Sequence, residues 1–420
     1  MNRIFLKTSL AGALLVLAGP VFAADPIKMT VSGEMKEWFG VTRQDGALDP
    51  ASASQGKEKF NHTGMDTQTF VAFGGDTKLD NGLTVTARLQ LDVLTNYGPN
   101  VGSTQVHESS VAIAGDLGTI RGGIKETANN TMHNEAPDVG ITYSSVGDWV
   151  TPPKNFTTFA QPVNGIPNPV PYNFTSFAAF TDKQPAVSYI SPTFLDGFSL
   201  GASYVPGSGA VGPVNTLTTS HNVWESTLAY TKEIKGVTVG LDGGISQGKG
   251  PKNGPSTVST ALSPGSYFSQ SFTAYEGGAK FAYGAWTLGG AYLGMREHRA
   301  PCSDIGTCPV GAGTNSGIPL MTGYSWDAGL SYVNGPYGAS VSYYTEQHRG
   351  GYQLTAKQPV VGVLGKPETF QTGLVSGSYE LTTGITSRST LFYGKFAGID
   401  GTLANKSDGY GLVTGLDLVF

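Results

Sequence analysis

The stretch Leu83-Thr-Val-Thr-Ala-Arg-Leu-Gln-Leu-Asp-Val-Leu94 alternates apolar and polar side chains along its whole length. One face carries Leu83, Val85, Ala87, Leu89, Leu91 and Val93, and the other carries Thr84, Thr86, Arg88, Gln90 and Asp92. A period of two residues is that of a β-strand, because successive side chains point to opposite faces. The alternation alone leaves open whether the apolar face meets a protein core or lipid.

Alternating segments of this kind recur from one end of the chain to the other, bounded by turn residues. Sixteen candidate strands result: 27–42, 63–75, 83–95, 107–115, 119–125, 185–191, 198–205, 222–232, 237–245, 271–282, 285–296, 323–333, 338–347, 368–380, 385–396 and 409–420. The sequence therefore predicts an all-β protein.

The connections between these strands alternate between short and long. The short ones are 76–82, 116–118, 192–197, 233–236, 283–284, 334–337 and 381–384, and the long ones are 43–62, 96–106, 126–184, 206–221, 246–270, 297–322, 348–367 and 397–408. Tight periplasmic turns at one rim and long extracellular loops at the other are typical of transmembrane barrels. We therefore predict a sixteen-stranded antiparallel transmembrane β-barrel.

The composition agrees with a lipid-facing exterior. Charged residues make up 14% of the chain, against a usual value of about 25%. No apolar run behind the N-terminal segment is long enough for a spanning helix, and a barrel strand needs apolar side chains only at alternate positions. The sheet must close because lipid cannot satisfy a free strand edge, and sixteen strands enclose a lumen too wide for side chains to fill.

The first residues predict secretion. Arg3 and Lys7 precede the apolar run 10–18, and Val21-Phe-Ala23 ends in a cleavage pattern, so residues 1–23 are expected to be a signal peptide. The barrel domain then covers 24–420. Removal of the signal changes the net charge from −5 to −7, which argues against nucleic acid as a partner.

Several ordered motifs carry a family resemblance. Residues 188–204 contain a strand–turn–strand similar to Y-x-S-P-x-F-x-G-F, with one extra residue before Gly197. Residues 27–34 are similar to a first strand, 78–83 to a first periplasmic turn and 386–393 to a penultimate strand, and the chain ends in Phe420. In these features the chain resembles the Gram-negative general porins.

The resemblance implies an outer-membrane channel for passive diffusion of small hydrophilic solutes and ions. It also implies a homotrimer surrounded by outer-membrane lipid and lipopolysaccharide, with Phe420 read by the barrel-assembly machinery. It further implies that the third long connection (126–184, hereafter the third connection) folds into the barrel. This connection is longer than the family leads one to expect. It could restrict the pore, fold partly outward, or add selectivity.

A diffusion pore needs no bond chemistry, because its constriction selects by size and charge. The alternation of side chains along the strands places four basic residues on the face that lines the pore. The third connection contributes four acidic residues. The basic wall comprises Lys36, Arg88, Arg121 and Lys125, and the acidic loop comprises Glu126, Glu135, Asp138 and Asp148. The alternative for each is a solvated charge without a special role.

Other residue patterns have weaker meanings. Trp38, Phe39, Tyr204, Trp224, Trp286, Tyr324, Trp326 and Tyr393 are interpreted as interface girdles, with a sugar-stacking track as the alternative. Cys302 and Cys308 predict a small loop disulfide. The G-x-S-x-G match at 244–248 lacks the setting of a hydrolase elbow. We expect neither a metal nor a cofactor.

Four candidate functions can be compared from the sequence. A general porin is favoured over a substrate-specific channel for sugars, phosphate or dicarboxylates. A plugged or adhesive barrel would usually be narrower. An outer-membrane enzyme lacks a plausible Ser/His/Asp set on the barrel wall, because all six histidines fall in or beside long connections.

Overall fold

The structure is a computed structural model that describes residues 26–45, 61–95, 105–151, 174–207, 212–214, 216, 221–249, 271–298, 323–349, 367–397 and 406–420. The predicted signal peptide (1–23) and the predicted Cys302–Cys308 disulfide lie outside these residues. Both therefore stay predictions.

Sixteen strands account for most of the described chain. They are β1 (Lys28–Asp45), β2 (Thr63–Lys78), β3 (Thr84–Thr95), β4 (Gln105–Gly115), β5 (Gly118–Ile124), β6 (Pro185–Ile190), β7 (Phe198–Gly207), β8 (His221–Ile234), β9 (Val237–Lys249), β10 (Ser271–Tyr283), β11 (Trp286–His298), β12 (Gly323–Asn334), β13 (Tyr337–Arg349), β14 (Pro367–Thr382), β15 (Ile385–Ala397) and β16 (Lys406–Val419). Every predicted strand has its counterpart.

Each strand pairs antiparallel with its sequence neighbours, and β1 pairs with β16, so the sheet is a closed barrel. The seam runs from Glu34 opposite Val419 to Asp45 opposite Asp408. The main chain of Phe420 extends it by exchanging two hydrogen bonds with Gly33, at 2.8 and 3.1 Å. Closure leaves no strand edge facing hydrocarbon, and the predicted fold is confirmed.

Several strands run further toward the long connections than the alternation predicts. The pattern of β9 ends at residue 245, but the strand continues to Lys249 opposite β8 and β10. The sequence Ser246-Gln-Gly-Lys249 has no apolar member to signal a strand. Pairing continues there because both neighbouring strands also extend.

The short turns have the geometry that tight hairpins need. Lys235 and Gly236 between β8 and β9 both have positive φ, at 51° and 83°. Two such residues form the turn whose twist matches that of the flanking strands. Two-residue turns also occur at 284–285, 335–336 and 383–384.

Strand parity divides the side chains between two environments. Outward-facing positions carry exposed apolar and aromatic groups, among them Leu241, Tyr275, Leu288, Tyr292, Trp326 and Val341. Inward-facing positions carry small polar groups, among them Ser203, Thr227, Ser246, Ser325, Ser340 and Ser376. The first set forms the lipid face of a transmembrane barrel, because hydrocarbon accepts apolar but not hydrogen-bonding groups.

The girdle interpretation was wrong for one residue. Trp38 is 5% exposed and lies in an interior apolar cluster, whereas Phe39 is 45% exposed. Adjacent residues on a strand point to opposite faces, so the two could not both meet lipid.

The described helical segments all lie in the third connection. They are α1 (Ala128–Met132), a 3₁₀ turn (Tyr143–Ser145), α2 (Val146–Trp149) and α3 (Ala178–Thr181). Within the described ranges, no helix has the length and apolar content needed to cross a membrane.

Candidate functional site

The outgoing half of the third connection follows the inner wall of the barrel. Six of its backbone amides donate to wall side chains at 2.7 to 3.1 Å. In chain order these bonds join Ala128 to Ser203 of β7, Asn134 to Asp242 of β9, Ala136 to Asp327 of β12, Val139 to Ser340 of β13, Ile141 to Thr390 of β15, and Thr151 to Gln44 of β1. The predicted inward fold is therefore confirmed for 126–151.

The return segment comes back along the same wall. Ser325 of β12 donates to the carbonyl oxygen of Phe174, and the Phe177 amide donates to Oε2 of Glu276 on β10 at 2.7 Å. The chain then enters β6 at Pro185. Residues 174–184 therefore also lie inside the barrel.

Buried carboxylates of the wall hold the connection by accepting its backbone amides. Asp327 accepts from Ala136 at 2.9 Å and from the Thr175 hydroxyl at 2.7 Å. Amide bonds to an ionised acceptor contribute about 1.5–3 kcal/mol, more than neutral ones. The inner wall thus supplies acceptors where the connection presents donors.

Apolar contacts fix the outgoing half from Ile141 onward. Val146 and Val150 are fully buried against a cluster contributed by β13 to β16 and β1. The cluster comprises Trp38, Ile141, Tyr143, Val146, Val150, Tyr344, Phe370, Leu374, Phe392, Phe396 and Val413. Burial of each valine contributes about 2 kcal/mol.

Tyr143 joins this cluster to the polar part of the connection. Its ring stacks on Tyr344 with centroids 4.4 Å apart, and its hydroxyl donates to Oε2 of Glu135 at 3.0 Å. Burial, together with the charge of Glu135, raises the pKa of Tyr143 well above its ordinary value, so the phenol keeps its proton.

A second apolar cluster lies beneath the return segment. Phe177 is fully buried between side chains of β6, β7, β8, β10 and β11. Its partners are Ala186, Val205, Val223, Phe272, Ala274, Leu293 and Met295, with Phe174 beside them.

Inward-facing glycines make room for the connection at the wall. A Cβ atom on Gly278 would fall on the carbonyl oxygen of Asn134. A Cβ on Gly289 would lie 2.7 Å from the Glu135 carbonyl oxygen, and one on Gly329 3.1 Å from that of Pro137. Backbone therefore packs directly on backbone at these positions.

The wall of β3 to β5 carries the basic residues nominated from sequence. Arg88 Nε lies 2.7 Å from Oε2 of Glu108, and Lys125 Nζ contacts the other oxygen of the same carboxylate. The Glu108 side chain is 3% exposed, whereas that of Arg88 is 43% exposed. One buried acid therefore holds two cations together at the lumen surface.

Arg121 and Lys183 extend this group. Arg121 donates to the carbonyl oxygen of Glu126 and, at 3.2 Å, to the Thr131 hydroxyl. Lys183 Nζ lies 2.7 Å from Oε1 of Glu126. Burial opposes ionisation of Glu126, but the hydrogen bond and charge of Lys183 prevail with the charges of Lys125 and Arg121, so the Glu126 pKa is lowered.

Lys36 lies apart from this group, on β1. It pairs with Glu34 of the same strand at 3.0 Å. Its register neighbours are Gln68 of β2 and Asp417 of β16, and Asp417 pairs with Arg388 at 3.0 Å.

The remaining nominated acids lie at different places on the connection. Asp138 accepts from the hydroxyls of Ser340 and Ser342 on β13, at 3.1 and 2.6 Å. Glu135 and Asp148 have solvent-exposed side chains. Desolvation of the carboxylate by the surrounding protein and the nearby charge of Asp66 raise the pKa of Asp148 to about 6.

Glu108, Arg388 and Lys183 are among the charged residues of this site that were not nominated from sequence. Glu108 and Arg388 have inward parity on β4 and β15, opposite to outward Val111 and Leu391, so the alternation could have identified them. Lys183 lies outside any strand and offered no such signal.

The G-x-S-x-G match lies within β9. Ser246 is fully buried and pairs in register with Glu225 and Ala274. A nucleophile elbow needs a sharp turn from strand to helix, which this strand does not make.

Comparisons with known proteins agree with this architecture. The family model described as Gram-negative porin matches residues 9–401. The anion-selective porin from Comamonas acidovorans has a similar structure, with a TM-score of 0.56 and 15% identity over 94% of this chain and 100% of that chain.

Two other solved structures share the fold. The outer membrane channel DcaP of Acinetobacter baumannii matches with a TM-score of 0.58 and 11% identity, over 95% of this chain and 99% of its own. The trimer form of OmpT from Vibrio cholerae matches with a TM-score of 0.55 and 11% identity, over 94% and 100%. No curated protein matches the sequence.

Proposed function

The chain belongs to the Gram-negative porin family, and we propose that the charged wall of β3 to β5 sets a weak charge preference in its pore. As a porin it forms an outer-membrane channel through which small hydrophilic solutes diffuse passively. The proposal concerns which residues line the narrowest part and what they select.

The path of the third connection is the observation that carries this proposal. Its described segments bind the inner wall from β7 through β16 to β1. Its other described contacts with the wall are those of Trp149, which lies over Gly64 of β2, and of its root, where Arg121 of β5 donates to the carbonyl oxygen of Glu126. We infer that the aqueous path borders β3 to β5, where Arg88 is exposed.

The proposed constriction has basic groups on one side and acids on the other. Arg88, Arg121, Lys125 and Lys183 form the basic side, and the exposed carboxylates of Glu135 and Asp148 form the acidic side. A unit charge 10 Å from a permeating ion in water contributes about 0.4 kcal/mol, which is about a twofold preference. That magnitude supports a general pore rather than a highly selective one.

Single-channel recording in planar bilayers under a salt gradient tests this function. We expect ohmic steps that often occur in threes, and a small reversal potential. Micromolar to millimolar block by a sugar, phosphate or dicarboxylate would instead indicate the substrate-specific alternative. Absence of conductance would indicate a plugged or adhesive barrel and contradict the proposal.

We also propose a homotrimer, as one solved neighbour is described in a trimer form. The outward faces of β1, β2, β15 and β16 carry polar groups among apolar ones such as Phe39 and Leu412. Glu37 accepts from Thr67 at 2.7 Å, and Ser389 and Thr414 share a hydrogen bond of 2.9 Å. The outward faces of β9 to β13 carry aliphatic and aromatic groups instead. The polar side fits contact with neighbouring copies.

We expect Glu37→Leu to weaken this trimer, because the variant removes a carboxylate that could accept hydrogen bonds from polar groups of the neighbouring copy. The unheated trimer band on gels should dissociate at a lower temperature than that of the wild type. Tyr292→Leu on the aromatic side is the matched control and should leave dissociation unchanged. Equal behaviour of both variants would contradict the proposed interface.

The remaining partners follow from the family and from the predicted signal. We propose cleavage after Ala23, lipopolysaccharide around the outer rim, and recognition of Phe420 by the barrel-assembly machinery. Phe420 is 67% exposed at the β1–β16 seam, which leaves its ring accessible to a partner. We propose that the channel performs no bond chemistry.

A further inference from the structure

We propose that His133, Asp242 and Glu276 form a binding site for a divalent transition-metal ion such as Zn²⁺, which fastens the third connection to the wall. His133 follows α1, Asp242 lies on β9 and Glu276 lies on β10. The proposal departs from the expectation that the chain holds no metal, and it is independent of the proposed charge selectivity.

The spacing of the three groups suits a single ion. His133 Nδ1 lies 3.0 Å from Oδ2 of Asp242 and 3.6 Å from Oε1 of Glu276. One ligand atom from each residue lies within 4.8 Å of the others. Ligands 2.1 Å from a tetrahedral zinc ion are about 3.4 Å apart, so small side-chain movements suffice.

Glu276 presents a buried oxygen to which no described residue donates a hydrogen bond. Its Oε2 accepts from the Phe177 amide at 2.7 Å, but its Oε1 has no hydrogen-bond partner among the residues that the structure describes. The side chains of Glu276 and Asp242 are fully buried, and that of His133 is 4% exposed. A buried carboxylate oxygen without a partner is costly, and a bound cation would satisfy it.

The charge of the group also matches a divalent cation. Two carboxylates with a neutral imidazole carry two negative charges, which one such ion balances. Within the part of the chain that the structure describes, the only basic group within ion-pair distance of either carboxylate is His133. No lysine or arginine of that part therefore takes the place of the ion.

The donor set favours a transition metal over Mg²⁺ or Ca²⁺. Imidazole nitrogen with carboxylate oxygens suits zinc and its neighbours, whereas Mg²⁺ and Ca²⁺ take oxygen ligands. The other oxygen of Asp242 accepts from the Asn134 amide at 2.7 Å and its side chain at 2.9 Å. Such supporting bonds orient a ligating carboxylate.

Zinc retention by the purified full-length protein in detergent tests the proposal. The chelator-treated protein is equilibrated with micromolar ZnCl₂, dialysed, and analysed for bound zinc by mass spectrometry. We expect His133→Gln and Glu276→Gln each to retain about one zinc ion fewer per chain than the wild type. Glu225→Gln removes another buried wall carboxylate, beside Thr127 and Thr181, and should retain as much zinc as the wild type.

Equal zinc content in the wild type and both ligand variants would overturn the proposal. The variants are first checked for heat-modifiable gel mobility, which reports a folded barrel. If either fails to fold, anomalous diffraction from a zinc-soaked wild-type crystal decides. A peak about 2.1 Å from His133 Nδ1 supports the site, and a peak elsewhere or none overturns it.

Discussion

We expect Gly278→Leu to lower the single-channel conductance about twofold or more, with added current noise, because the new side chain displaces the third connection. Gly278 faces inward on β10, and even a Cβ atom there would meet the carbonyl carbon of Asn134 at 2.8 Å. Asp242 and Asp327 hold the connection on either side of this point. The closed wall lies behind it, so it can move only toward the pore axis.

Gly277→Leu is the matched control for this variant. The adjacent glycine faces outward, and its Cβ would have only the Asp242 carbonyl oxygen within reach, at 3.4 Å. Both variants introduce the same side chain on the same strand, so any general effect on β10 is shared. Recordings in symmetrical KCl should show wild-type conductance for Gly277→Leu. Equal conductance of the two variants would show that the connection does not rest on this wall.

The barrel was predictable because its determinants are local. The alternation of apolar and polar residues assigns each side chain to one face of the sheet. The sheet must close into a barrel because lipid cannot form hydrogen bonds with a free strand edge. The error at Trp38 came from grouping it with Phe39, although local parity separates the two.

The path of the third connection was not predictable in this way. The hydrogen bond from Ile141 to Thr390 joins residues that are 249 positions apart in the sequence. The sequence of neither segment indicates that it contacts the other. One signal was available in Gly278, Gly289 and Gly329, which lie at inward positions on β10, β11 and β12. Their lack of side chains indicates that backbone must approach the wall there.

The charged wall was only partly predictable. The alternation along a strand shows which side chains face the pore, but not which residues they pair with. Arg88 and Lys125 were nominated from β3 and from the end of β5. Their shared partner Glu108 depends on the register of β4, which pairs Gln90 with Glu108. Alternation within each strand leaves the register between neighbouring strands open, so the ion pairs that cross from strand to strand were not predictable.

We expect the charges of this wall to move the ion preference of the pore in opposite directions. Glu108→Gln removes the acid that balances Arg88 and Lys125, so the reversal potential in a KCl gradient should shift toward anions. Arg121→Gln combined with Lys125→Gln removes two positive charges and should shift it toward cations. Each shift should correspond to a change of about two- to fourfold in the permeability ratio.

A matched charge control decides whether the site or the whole molecule sets this preference. Screening acts over about 10 Å at 0.1 M salt and about 3 Å at 1 M, so shifts caused by groups lining the pore should shrink at high salt. Lys232→Gln removes the same charge as Lys125→Gln, but from an outward position of β8 where it pairs with Asp196. It should leave the reversal potential unchanged. If Lys232→Gln shifts the potential as much as Lys125→Gln does, the overall charge of the protein sets the preference, and the wall of β3 to β5 has no special role.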